Sequence, residues 1–72
     1  MTLWDAPCGQ ETIIDRIATG DSDLEAFLFS LGCYSGEPIT VVFRHRSTCV
    51  VAIKDGRYSI DRPLAQAIRV CC

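Results

Sequence analysis

No apolar run in this sequence approaches the ~20 residues of a membrane span. Its opening, Met1 to Asp5, lacks the basic start and the apolar core of roughly 7 to 15 residues that a secretory signal needs. The chain is therefore expected to be cytoplasmic and not itself membrane-spanning. Basic residues are few and scattered: seven Lys and Arg against nine Asp and Glu give a formal net charge of -2, with no basic stripe to neutralise a run of phosphates. Nucleic acid is excluded as the expected partner on that ground. The five cysteines are an odd number without CxxC spacing, so free thiols are expected rather than a disulfide framework. Low-complexity segments are absent too, and 49% hydrophobic content argues for a folded globule.

What remains is one small domain, residues 1–72, of a size that buries only about 60% of its unfolded surface and leaves little room for an enclosed active site. Glu11 to Ile17 reads as a first strand, with Ile13, Ile14 and Ile17 available for the core and Asp15 either at an edge or in a bulge. Ser22 and Glu25 have the spacing of a capping box, in which each side chain satisfies a free backbone amide at a helix start. Leu24, Phe27, Leu28 and Leu31 then recur at i, i+3, i+4 and i+7, the buried stripe of a short helix. Gly32 stands where a left-handed residue ends a helix at least cost. Cys33 to Gly36 make a turn, and Pro38 hands over to a strand in which Ile39, Val41 and Phe43 alternate with Thr40, Val42 and Arg44.

Cys49 to Ile53 should pair with that strand as a hairpin, and Asp55-Gly56 signals a tight turn into a fourth strand, Arg57 to Ile60. Pro63 to Ala67 fits a single helical turn, and Ile68 to Val70 closes the chain as a fifth strand. A sheet of short strands with one helix cannot cover both its faces. The expected fold is mainly β with one short α-helix, about five strands curled into a small SH3-like β-barrel with the helix plugging one opening. A flat sheet crossed by the helix is the alternative.

No catalytic constellation is present, and an enzyme is not expected. The single histidine, His45, reads as a strand-end side chain, and no serine or cysteine sits in a nucleophile motif. Thiolates from Cys71-Cys72 with Cys8, Cys33 or Cys49 could in principle bind a soft metal, but the spacing gives no support, so no metal or cofactor site is assigned. Arg44 and Arg46 fall on the strand face opposite Phe43, as a solvated edge or a partner contact. Phe29 projects about 100° or more away from the buried stripe, and Tyr34 follows at the turn; both are candidates for docking a partner.

The run Leu28 to Val42, LFSLGCYSGEPITVV, resembles the FeoA family of ferrous-iron transport accessory proteins, with Leu31-Gly32 and Ser35-Gly36 in the family's helix-end and turn positions. Upstream, Leu3, Ala6, Gly9, Ile14 and Ile17 are similar to the family's opening strand. Downstream, Gly56 to Ile60 with Ala65, Ile68 and Val70 looks like its closing segment. The chain departs from the pattern at Ser35, where proline is usual, at Glu25 to Phe27, where basic residues are common, and at Asp61, where arginine is frequent. The resemblance implies a non-enzymatic cytosolic module that docks on the cytosolic GTP-binding part of a FeoB-type membrane transporter and regulates or assists iron uptake. Phe29, Tyr34, Arg44 and Arg46 are its expected contacts. The resemblance also leaves open a free-standing metal-responsive regulator, similar to the SH3-like domain of iron-dependent repressors. A binder of proline-rich peptides would need an aromatic groove, and Trp4, Tyr34 and Tyr58 are far apart in sequence.

Overall fold

A computed structural model describes residues 1–71. A 3₁₀ turn at Leu3–Asp5 precedes strand β1 (Glu11–Ile17), helix α1 (Ser22–Ser30), strands β2 (Pro38–His45), β3 (Thr48–Ile53) and β4 (Gly56–Asp61), helix α2 (Arg62–Ala67) and strand β5 (Ile68–Cys71). The strands form one sheet in the order β4-β3-β2-β1-β5, every neighbouring pair antiparallel. The sheet is not closed into a barrel. Edge strands β4 and β5 stand at opposite ends of the ladder, joined by α2, whose Ala65 and Ala67 are buried. Leu3 and Ala6, buried in the same core, help fill the space that strand pairing would otherwise close.

The helix that serves the opening is therefore α2 rather than α1, and the expected single turn is a second helix. Asp61 caps it, accepting a hydrogen bond from the Leu64 amide at 3.1 Å. The core is made by alternate residues of the strands: Ile14, Ile39, Val41, Cys49, Val51, Ile53, Ile60, Ile68 and Val70. Each large aliphatic among them contributes about 1.5–3 kcal/mol by leaving water. Thr12 is also buried, and its hydroxyl is satisfied by donating to the Ile39 carbonyl at 3.1 Å.

Two bulges re-aim side chains. In β1 the register against β5 shifts between Ile14 and Arg16, so Asp15 is the extra residue and Ile13 faces solvent rather than the core. In β2 it shifts between Val41 and Phe43. Because side chains alternate with period two, one inserted residue exchanges the faces beyond it. Phe43 is consequently 56% exposed, while Arg44 points toward the interior. The β3–β4 turn is also one residue earlier than its Asp-Gly signal: Ile53 pairs with Gly56, so Lys54 and Asp55 are its central residues, with Lys54 at φ 53°.

Candidate functional site

Helix α1 is capped by Asp21, not Ser22. The Asp21 carboxylate accepts from the amides of Asp23 at 2.9 Å and Leu24 at 3.3 Å. A charged acceptor at this position also complements the helix dipole, which gives Asp21 the advantage over Ser22. Only Leu28 of α1 is fully buried; Leu24 and Leu31 are half-buried, and Phe27, expected in the stripe, is 47% exposed.

The helix ends in a Schellman motif. The Cys33 amide donates to the Leu28 carbonyl at 3.1 Å and the Gly32 amide to the Phe29 carbonyl at 3.0 Å. Gly32 is favoured there by its φ of 98°, and it leaves room for the Lys54 stem, whose Cε would stand 3.0 Å from a Cβ. This reversal folds the chain back so that Tyr34 stacks on Phe29, with ring centroids 5.5 Å apart and planes 7° from parallel.

The β3–β4 turn forms the opposite wall. The Lys54 stem runs past Gly32, and its ammonium lies 5.9 Å from the Tyr34 ring centroid and 3.6 Å from the Glu37 carboxylate. Tyr58 reaches back over Gly56, where a Cβ would be 2.6 Å from the tyrosine oxygen, so glycine is needed for space rather than for φ. Between the walls is an open cleft of about 480 Å³, lined by Phe29, Leu31, Tyr34, Lys54, Gly56 and Tyr58. Three aromatic side chains, a cation and the last turn of a helix suit the recognition of another surface.

Of the four side chains singled out in the sequence, Phe29 and Tyr34 are brought together in this cleft, while Arg44 and Arg46 are not part of it. Arg44, turned inward by the Val42 bulge, donates to the Ala6 carbonyl and lies 5.5 Å from the Trp4 ring centroid. Arg46 is exposed at the β2–β3 turn with φ 52°. Lys54 escaped the sequence reading; Tyr58, set aside there as too far in sequence from Tyr34 and Trp4 to share a groove, lines the same cleft as Tyr34, without Trp4. His45 is exposed and stacks on Phe43, centroids 6.1 Å apart.

The described cysteines are all free thiols: Cys8 and Cys71 exposed, Cys33 and Cys49 buried. Burial pushes the Cys33 thiol up to about 11 and raises that of Cys49, so both stay protonated at neutral pH. Cys72 lies outside the described residues, and with it half of the Cys71-Cys72 pair. Among the described residues no group of three or more His, Cys, Asp or Glu is arranged to hold a metal ion.

A family model, the FeoA domain, matches residues 1–71. The chain belongs to the FeoA family. Membership implies an accessory, non-catalytic role in ferrous-iron transport. No curated protein matches the sequence. Among solved structures, an iron uptake regulatory protein (FeoA) is similar with a TM-score of 0.87 and 24% identity, over 97% of this chain and 93% of that one. The zinc complex of Stenotrophomonas maltophilia FeoA, an SH3 domain protein, is similar with a TM-score of 0.88 and 18% identity, over 99% and 89%. These likenesses establish the SH3-like fold for this FeoA chain. A manganese-dependent transcriptional repressor is similar with a TM-score of 0.89 and 26% identity over 97% of this chain, which spans 40% of the repressor's length. Among the described residues of the FeoA chain, no helix is long and apolar enough to cross a membrane.

Proposed function

We propose that this chain is a cytosolic accessory and regulatory module of ferrous-iron transport that docks on the cytosolic part of a FeoB-type transporter through the Phe29–Tyr34 cleft. The family match carries the transport role, and the stacked aromatic pair beside Tyr58 and Lys54 carries the choice of surface. Aromatic side chains with few rotamers are the residues that most often anchor a protein interface. Tyr34, 49% exposed at the rim, is the outermost of the three and the first to meet a partner.

The test is a titration of the reduced chain against the transporter's isolated cytosolic GTP-binding domain, with and without nucleotide. Saturable binding is expected in at least one nucleotide state. Tyr34→Ala should weaken it at least about 30-fold, the effect of losing an interface anchor of about 2 kcal/mol. Absence of binding in every state removes the docking reading.

The likeness to the manganese-dependent repressor supports a second reading, a free-standing metal-responsive regulator. Titration of the reduced protein with ferrous iron or zinc separates the two. Stoichiometric binding abolished by replacing Cys71 and Cys72 favours sensing; its absence favours docking.

A further inference from the structure

The open sheet has two edge strands, and the chain treats them differently. Along β5 the N-terminus adds cover: Thr2 bridges Arg69, and the Val70 amide donates to the Met1 carbonyl at 2.8 Å. Along β4 nothing among the described residues takes that place. It stands last in the strand order with β3 as its neighbour, and outside that ladder and the start of α2 no backbone hydrogen bond ends on it. Ile53 and Gly56 close the two-residue turn as a pair, and the ladder then runs without a register shift to Thr48 and Asp61. Hydrogen-bonded and non-hydrogen-bonded pairs alternate in an antiparallel ladder, so Gly56, Tyr58 and Ile60 bond to β3. Arg57 and Ser59 therefore turn amide and carbonyl outward, and Asp61 its amide. The Arg62 amide keeps this parity, donating inward to the Ser47 carbonyl at 2.7 Å.

Edge strands are commonly blunted by proline, a bulge or a run of charge. Strand β4 has neither proline nor bulge, and its charges are of opposite sign, Arg57 and Asp61 standing two residues to either side of Ser59. All three side chains are exposed, and the one ion pair among the described residues, Lys54–Glu37, uses neither charge. We propose that the β4 edge pairs antiparallel with the β4 edge of a second copy, about a two-fold axis at Ser59. In that register Ser59 faces Ser59, and Arg57 of each copy faces Asp61 of the other, so symmetry makes two opposite-charge pairs. Asp61 gives Oδ1 to the Leu64 amide at 3.1 Å, which leaves Oδ2 for the guanidinium. Sliding one strand by two residues sets Asp61 opposite Asp55 in one direction and Arg57 opposite Pro63 in the other, so the register centred on Ser59 is the one that pairs both charges. The inference does not rest on the docking role given to the Phe29–Tyr34 cleft.

Sedimentation equilibrium of the reduced chain over roughly 0.02 to 2 mM should show a reversible monomer–dimer equilibrium, weak because one strand edge is a small interface. Amide hydrogen exchange at Arg57 and Ser59 should slow as the dimer fills. Ser59→Pro removes an amide that the β3 ladder does not use, so it should keep the wild-type circular dichroism spectrum while weakening the dimer at least about tenfold, the loss of two hydrogen bonds by symmetry. Arg57→Glu, which sets like charges opposite each other at both ends, should weaken it by about tenfold or more, and Tyr34→Ala should leave it unchanged. A chain that stays monomeric throughout the range overturns the proposal. A dimer undiminished by Arg57→Glu and Ser59→Pro also overturns it, by placing the contact on another face.

Discussion

Phe27 and Phe29 were assigned opposite fates by helical spacing, and the structure exchanges much of the difference. The stripe of Leu24, Phe27, Leu28 and Leu31 is correct for its aliphatic members but too wide, because α1 rests on the core through little more than Leu28. Phe29 gains cover from a residue outside the helix, Tyr34, which no helical periodicity can register. Leu28→Ala should therefore cost about 2–5 kcal/mol in a denaturant melt, the price of a cavity in a packed core, whereas Phe27→Ala should stay within about 0.5 kcal/mol of wild type. The cysteines differ in the same residue-by-residue way. Iodoacetamide at pH 8 should alkylate Cys8 and Cys71 in the folded protein and spare Cys33 and Cys49 until it unfolds. The Cys33 thiol ionises near 9.0 when unfolded but only near 11 when folded, so the unfolded chain releases its proton first as pH rises. Its contribution is thus intact below pH 9.0 and lost progressively toward 11, and the melting temperature should fall across that interval.

Among the elements, all five strands and the order of the helices were legible in the sequence, because short apolar runs bounded by glycine and proline punctuate the chain. The Asp15 bulge was one of two readings open in the sequence, an edge charge being the other, and the register shift between Ile14 and Arg16 decides for the bulge. The Val42 bulge was not legible: Val41, Val42 and Phe43 are apolar in succession, and such a run carries no alternation to reveal which residue is extra. That silent shift is why Arg44 was placed on the solvated face and why its contact with Trp4 was missed. A closed barrel was expected because curling buries the most apolar surface; instead the sheet stays open, with α2, longer than the expected single turn, joining β4 to β5. At the start of α1 two residues competed for the cap, and the charged one holds it. Asp21→Ala should destabilise by about 1 kcal/mol in thermal or chemical unfolding, while Ser22→Ala should leave stability nearly unchanged.

At the scale of the molecule, β3 separates two ends of different chemistry. One presents Phe29, Tyr34 and Tyr58 around a cleft beside the last turn of α1; the other presents arginines around Trp4. Each is built from segments distant in sequence, which is why single motifs revealed the family and a pair of aromatics but not either surface. The FeoA framework of Leu28, Gly32, Gly36 and the aliphatic strand residues sets where these ends lie. The central claim is that the aromatic end meets the transporter. It is tested most directly by adding the unlabelled cytosolic domain of a FeoB-type transporter to the ¹⁵N-labelled chain and mapping which amide resonances move. The account predicts shifts concentrated at residues 29–34 and 54–58, lost in Tyr34→Ala. A map that leaves both segments unmoved while binding is saturated would contradict it.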